Sequence, residues 1–246
     1  MINLLLIVLV GCLCETIDSA IGMGYGTILS PLLILFGYPP EVAVSAVLIS
    51  QAMGGLLAAW SHHRQENASF TIHSRDLWAS IWIGFLGVVA TCAAAVINLS
   101  FGARNVRLYI AILVTAVGLL LLCGLRFKLS PLKLAFIGIL SAFNKGISGG
   151  GFGPLVTGGQ MIVGQATKTA VAATTLAEAP ICIAGFLMYC HIGGTINEKL
   201  CAALCIGSLL GAPLGARITK KLKYKRTLVG AVCLLLGVIS LIKLFW

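Results

Sequence analysis

Apolar segments recur along the whole sequence, and the polar stretches between them are shorter than about 15 residues, which leaves no room for a soluble domain. The chain is 59% hydrophobic and 10% charged, more apolar than a soluble core of 246 residues requires. We predict an all-α, polytopic membrane protein with one membrane domain over 1–246, surrounded by the lipid bilayer. The formal charge of +10 comes from basic residues between apolar segments, where they orient helices, so we expect no nucleic-acid partner.

The cysteines and clustered histidines are weak candidates for metal binding. The nine cysteines lie inside or at the ends of apolar segments, without further ligands at the spacing of a metal site. His62, His63 and His73 share a polar segment with charged residues, which favours a solvated cytoplasmic connection. We expect no metal and no cofactor.

An internal repeat emerges when the sequence is aligned with itself at an offset of 127 residues. GCLCETIDSAIGMGYG (11–26) then matches GILSAFNKGISGGGFG (138–153) without a gap, and EVAVSAVLISQA (41–52) matches KTAVAATTLAEA (168–179). Four glycines coincide, and Tyr25 falls on Phe152. We predict two repeats, about 1–127 and 128–246, a pattern typical of transporters.

Each predicted half contains two short apolar pieces followed by three long ones. In the second half these pieces run over about 131–144, 152–163, 170–190, 199–216 and 224–245. The first two reach only about 18 to 21 Å, less than the roughly 30 Å hydrocarbon thickness of a bilayer. We therefore predict a pair of broken or re-entrant helices in each half, meeting inside the membrane.

The distribution of basic residues predicts how the two halves are oriented. If the second half is inverted, the loops around 61–75, 126–133 and 217–226 share one side and carry eleven basic residues against four opposite. A parallel arrangement gives seven against eight. The excess of positive charge in cytoplasmic loops favours an inverted-topology repeat in a multi-pass plasma-membrane protein, with both termini outside the cytoplasm.

The glycine-rich breaks are the predicted substrate site. Glycine lets the backbone turn and approach a ligand closely, and helix N-termini at such breaks attract anions. The predicted substrate-binding residues are Gly22, Gly24, Tyr25, Gly26, Asn144, Lys145, Ser148, Gly149, Gly150, Gly151 and Phe152.

Ionisable residues inside the apolar segments are the second set of candidates, because charges deep in a bilayer persist mainly where they pair, meet water or act. The predicted coupling or ion-pair residues are Glu15, Asp18, Gln51 and Glu178. The offset of 127 makes Asp18 equivalent to Lys145, so these opposite charges are candidates for a pair across the two halves, either structural or coupling. Glu178 is a candidate proton carrier, with a structural bond to Lys145 as the alternative; a proton or sodium is the expected coupling ion.

GMGYGTILSPLLILFGYPPEVAVSAVL and GISGGGFGPLVTGGQMIVGQATKTAVAATTL resemble the paired glycine-rich motifs of the TauE/SafE sulfite exporter family of membrane permeases. The resemblance covers nearly the whole chain. It implies a bacterial inner-membrane permease for sulfite, sulfonates or related small sulfur-containing anions, with the family's breaks at Gly22 to Gly26 and Gly149 to Gly153. Glu15 and Asp18 depart from the commoner pattern by adding negative charge before the first motif.

We predict a secondary transporter for a small sulfur-containing or organic anion, working by alternating access around a midplane site. A passive channel is the main alternative, and the sequence leaves the oligomeric state open. The G-x-S-x-G pattern around Ser148 raises an intramembrane serine hydrolase as a remote alternative. The His191 side chain falls at a predicted helix end, far from a midplane serine, so we expect no enzyme.

Overall fold

A computed structural model describes residues 4–97, 103–124, 131–148, 151–191, 195–221 and 226–245. These residues form ten α-helices, and no strand occurs within those ranges. The helices are α1 (Leu4–Ile21), α2 (Tyr25–Leu35), α3 (Pro40–Arg64), α4 (Arg75–Ile97), α5 (Ala103–Leu122), α6 (Pro131–Ser148), α7 (Phe152–Ile162), α8 (Thr167–His191), α9 (Glu198–Lys221) and α10 (Arg226–Phe245).

Five of these helices are long and apolar enough to cross a membrane: α1, α3, α4, α8 and α9. Large apolar side chains such as Leu13, Phe85 and Leu187 are exposed along them, which suits contact with lipid. The prediction of an all-α, polytopic membrane protein is confirmed.

Helix lengths recur between the two halves of the chain. Helices α1 to α5 contain 18, 11, 25, 23 and 20 residues, and α6 to α10 contain 18, 11, 25, 24 and 20. Leu4 and Pro131, the first residues of α1 and α6, are 127 positions apart, as are Tyr25 and Phe152, which begin α2 and α7. The helices therefore follow the same order in both halves, at an offset of 127 residues for the first three helices and 123 for the last two.

The first helix of each half is longer than the sequence predicts. Helix α6 was predicted to end near residue 144 but continues to Ser148, so its 18 residues reach about 27 Å. It continues because the charge of Lys145, which seemed to end the apolar segment, is neutralised by Glu178 of α8. By contrast, α2 and α7, with 11 residues each, reach about 17 Å.

Corresponding helices pack against each other in opposite directions. Along α3 and α8, Gly55 approaches Thr175 and Ala179, whereas Leu48 lies against Gly185, nearer the end of α8. Helices α5 and α10 also run antiparallel, with Gly118 beside Leu234 and Gly230 beside Leu121. Small residues at these crossings let the helix backbones come close, as is common in membrane proteins.

The last turn of α3 and the segment after it are less solvated than predicted. His62 is fully buried; its Nδ1 accepts a hydrogen bond from Asn67 Nδ2 (3.0 Å), and its Nε2 lies 3.4 Å from Ser19 Oγ of α1. Asn67 Nδ2 also donates to the Ala216 carbonyl of α9 (2.9 Å). The prediction of a solvated connection is wrong for His62, because these bonds fasten the start of the loop to α1 and α9. His63 and His73 are exposed, and the residues described contain no group of three His, Cys, Asp or Glu placed to hold a metal.

Candidate functional site

The first break separates α1 from α2. Gly22 and Gly24 have φ angles of 74° and 130°, in the left-handed region that favours glycine. The Tyr25 backbone N–H, at the first position of α2, donates a hydrogen bond to Asp18 Oδ1 of α1 (3.0 Å). The positively polarised end of α2 therefore already holds a carboxyl group of the chain itself.

The second break separates α6 from α7. Gly151 precedes α7 with a φ angle of 79°, and Phe152 begins the helix. The predicted roles of Gly149, Gly150 and the Ser148 side chain lie outside the described residues. The equivalent of Asp18 beside this break is Lys145, so the position that supplies an acid to the start of α2 carries a base in the second half.

The two breaks are in direct contact with each other. Thr27 Oγ1 of α2 accepts a hydrogen bond from the Gly151 N–H (3.3 Å), and Thr157 Oγ1 of α7 donates to the Gly22 carbonyl (2.8 Å). Gly153 packs so tightly that a Cβ atom there would lie 2.5 Å from the Gly22 oxygen. Sequence analysis missed Thr27 and Thr157, because the offset of 127 pairs neither residue with another threonine.

Lys145 lies in the last turn of α6 and is only 1% exposed. Its Nζ donates to Glu178 Oε1 of α8 and to Gln51 Oε1 of α3, each at 2.5 Å. Gln51 and Glu178 occupy equivalent positions in the two halves, so Lys145 sits between corresponding points of α3 and α8. The buried ammonium group is therefore paired and hydrogen bonded, as a lysine inside a membrane requires.

The predicted pairing of Lys145 with Asp18 is not the ion pair that forms. Asp18 instead accepts the Tyr25 N–H, while Lys145 pairs with Glu178. The two equivalent residues belong to different helix pairs: α1 packs on α9, and α6 packs on α4. Asp18 still lies within electrostatic range of Lys145 and Glu178.

Three buried carboxyl groups surround this one buried ammonium group. Glu15, Asp18 and Glu178 are each less than 5% exposed, and Glu15 is within electrostatic range of the other two acids and of Lys145. Among the lysine and arginine side chains that the structure describes, Lys145 is the only buried one. The cluster thus has more acidic than basic groups, so the binding of a further anion requires one acid to be neutral or displaced.

Comparison with known proteins identifies the class of molecule to which this site belongs. Residues 7–244 match the family described as Sulfite exporter TauE/SafE. The chain belongs to the TauE/SafE family. A probable membrane transporter protein of Haemophilus influenzae is 30% identical over 220 residues, which cover 85% of this chain and 82% of the relative. The probable membrane transporter protein YtnM of Bacillus subtilis is 24% identical over 260 residues, covering 98% of this chain and 83% of the relative.

The protein is therefore a multi-pass membrane transporter of the TauE/SafE type, which moves a small molecule across a lipid bilayer. The family is one of transporters rather than enzymes. In this TauE/SafE transporter the backbone of the two breaks is buried at Gly22, Gly24 and Gly151, because irregular backbone inside a membrane is tolerated only where it is buried in protein or lines a water-filled cavity.

The remaining predicted residues in this TauE/SafE transporter differ in polarity between the two breaks. Tyr25 is fully buried and its hydroxyl donates to Ser50 Oγ of α3 (2.7 Å). Phe152 packs in an apolar cluster that includes Ala177 of α8, the equivalent of Ser50. Gly26 is buried within α2, and Asn144 is buried next to Lys145 in α6.

Proposed function

We propose that this transporter is a secondary carrier for a small anion: sulfite, a sulfonate, or another small sulfur-containing or organic anion. The anion binds where the two breaks meet, near the middle of the bilayer, and alternating access exposes that site to one side of the membrane at a time. The observation that carries this proposal is Lys145, a buried cation three residues before the end of α6 at the second break. The description of the matched family as sulfite exporters supports the class of substrate.

The anion takes the place of the Glu178 carboxylate on Lys145. In the described conformation the ammonium group is satisfied by Glu178 and Gln51. A substrate oxyanion replaces one charge-assisted hydrogen bond with another, so Lys145 never has to remain unpaired in the membrane. Backbone amides at the start of α7 supply further donors.

The anion is expected at the second break rather than the first. The start of α2 is already occupied by the Asp18 carboxyl group, which accepts the Tyr25 N–H that an anion would need. The equivalent position at the second break carries Lys145, which attracts one. The anion site therefore lies at the second break only, although the helices around it recur in both halves.

We propose that the halves form an inverted repeat, about 1–127 and 128–246, in a bacterial inner membrane. Antiparallel packing of α3 with α8 and of α5 with α10 supports the inversion. We place the start of α8 and the end of α9 on the cytoplasmic side, where Lys168 Nζ donates to the Lys220 carbonyl (3.1 Å) and basic residues gather. Both termini are then outside the cytoplasm.

Counterflow in proteoliposomes tests the carrier function. Vesicles containing the purified protein are loaded with unlabelled sulfite, a small sulfonate or a small carboxylate, and entry of the same labelled anion is measured. We expect loading with at least one sulfur-containing anion to accelerate entry, because a carrier returns faster with substrate bound. Equal entry into loaded and empty vesicles indicates a passive channel instead.

Lys145→Ala should reduce counterflow about 10- to 100-fold, as expected for loss of a charged hydrogen bond of about 1.5–3 kcal/mol. Lys145→Arg keeps the charge and should retain part of the activity. Lys133→Ala, which removes an exposed lysine from the same helix, is the matched control and should transport normally. Full counterflow in a well-folded Lys145→Ala protein would contradict the proposed site.

A further inference from the structure

The three buried acids of the cluster differ in how their carboxyl groups are satisfied. Glu178 pairs with Lys145, and Asp18 accepts the Tyr25 N–H. Glu15 is 1% exposed, and its Oε2 has no hydrogen-bond partner among the described residues. A charged carboxylate oxygen that lacks a hydrogen-bond donor is strongly disfavoured in such surroundings, whereas a neutral carboxylic acid is tolerated.

Glu15 lies in a narrow space where three helices meet. A Cβ atom on Gly54 of α3 would lie 2.9 Å from the Glu15 carboxyl carbon and 2.8 Å from Ser208 Oγ of α9. A Cβ atom on Gly211 of α9 would lie 2.9 Å from Glu15 Cβ. The Ser208 hydroxyl donates to the Ser50 carbonyl (2.7 Å), so its proton is not directed to Glu15. Glycines thus make room for a carboxyl group whose Oε2 has no hydrogen-bond partner among the described residues.

The other half builds the same helix without an acid. The offset of 127 makes Ala142 of α6 equivalent to Glu15, and Ala142 is buried in an apolar cluster with Ile83 and Ile181. Ile181 in turn is the equivalent of Gly54. Apolar packing is therefore sufficient to stabilise this position in the first helix of a half. The acid at the equivalent position in α1 is not needed for packing, so it has another role.

We propose that Glu15 is the proton-binding residue that couples proton movement to anion transport, an inference that rests on the carrier function proposed above. When the site opens to water, the Glu15 carboxylate takes a proton from that side. Its neutral form removes one negative charge near Lys145 and so permits the substrate anion to bind. After the anion leaves on the other side, Glu15 returns the proton to the water there, and one proton has accompanied each anion.

The groups around Glu15 favour this assignment over the other acids. Within electrostatic range of Glu15 are Cys12, Cys14 and Asp18 of α1, Tyr25 of α2, Lys145 of α6 and Glu178 of α8. Gly54 of α3 and Gly211 of α9, which lie beside its side chain, do not titrate, and neither does the neighbouring Ser208. Glu178 already has Lys145 as its counter-ion and Asp18 already has the start of α2, so proton binding at Glu15 disrupts neither bond.

Glu15→Gln separates proton coupling from anion exchange. Gln keeps the shape of a protonated Glu but cannot release a proton. In proteoliposomes, we expect sulfite counterflow of Glu15→Gln to stay within about threefold of wild type. Accumulation of labelled sulfite driven by an imposed pH gradient should fall at least about tenfold.

The ratio of wild-type to variant counterflow should decline as the pH rises, because the wild-type residue then loses its proton, whereas Gln does not. Protein-free liposomes correct for leakage of protonated sulfite.

Glu198→Gln, at the exposed start of α9, is the matched control and should leave both measurements unchanged. Wild-type pH-driven accumulation in Glu15→Gln would overturn the inference and leave the carrier function intact. Loss of counterflow in Glu15→Gln would also overturn it, as would failure of the variant to fold, because a neutral acid is replaceable by its amide. Absence of counterflow in the wild-type protein would instead reject the carrier function itself.

Discussion

The two breaks have similar backbones but different chemistry. Each joins an 18-residue helix to an 11-residue helix through residues that include left-handed glycine, and threonines from the short helices contact the opposite break. Their polar side chains differ at equivalent positions. Glu15 corresponds to Ala142, Asp18 to Lys145, Gln51 to Glu178, Tyr25 to Phe152 and Ser50 to Ala177.

The comparison shows that the two halves keep the same order of helices while the charges at equivalent positions differ. The first break satisfies its own helix N-terminus with Asp18, so it is neutralised before any ligand arrives. The second break carries the lysine, whose counter-ion comes from α8. In our proposal the first half therefore binds the proton, at Glu15, and the second half binds the anion, at Lys145.

Glu178→Gln should have the largest effect on stability, because it removes the carboxylate that forms the ion pair with the buried Lys145 ammonium group. Removing one partner of a buried ion pair costs about 3–5 kcal/mol. We expect a marked fall in the thermal unfolding temperature of the detergent-solubilised protein. Unfolding is measured by the loss of the helical circular dichroism signal.

The double variant Lys145→Met with Glu178→Met is the partner experiment. It removes both charges while keeping similar volume, so it should recover most of the lost stability without recovering transport. A single Glu178→Gln variant as stable as wild type would show that the second break does not depend on this ion pair.

Gly153→Ala should have the next largest effect, because it pushes the second break away from the first. The added methyl group would overlap the Gly22 carbonyl and the Met23 backbone, which cannot swing aside as a flexible side chain can. We expect a cost of about 1–3 kcal/mol in thermal stability, together with reduced counterflow.

Gly185→Ala is the control for that substitution. Gly185 is also buried in a helix, but the nearest atoms to an added methyl group belong to the Leu48 and Thr91 side chains, at 3.2 to 3.7 Å. It should be clearly milder. Equal losses in the two variants would indicate that helix packing in general, rather than contact between the breaks, sets the effect.

Phe152→Tyr gives the second break the residue of the first. The new hydroxyl lies among apolar groups, since Ala177 stands where the first half has Ser50. We expect a loss of about 1 kcal/mol in thermal stability from the unpaired hydroxyl. Adding Ala177→Ser should restore part of it by rebuilding the pair formed by Tyr25 and Ser50.

Tyr25→Phe is the reciprocal test, and removes only the hydrogen bond to Ser50. It should cost about 0.6 kcal/mol, a typical value for a hydrogen bond between membrane helices. If the double variant Phe152→Tyr with Ala177→Ser is no more stable than Phe152→Tyr alone, the two breaks differ in backbone geometry as well as in polarity.

The sequence predicted the helices and the breaks better than it predicted their partners. Hydropathy located the ten helices, although it ended α6 near residue 144 because Lys145 resembles the end of an apolar segment. Glycine content located the breaks. The offset of 127 identified Asp18 and Lys145 as equivalent, but equivalence in the chain does not decide which charges touch, and Lys145 pairs with Glu178 instead.

The sequence by itself determined that the chain lies in a membrane as helices with glycine-rich interruptions, because hydropathy and backbone freedom act over short stretches of chain. Only the tertiary structure decided that Lys145 meets Glu178 and Gln51, that Asp18 caps α2, and that the buried Glu15 carboxyl is left with an unpaired oxygen. These contacts depend on how distant helices rotate and cross, and a charged group in the membrane takes the partner that this geometry brings within reach.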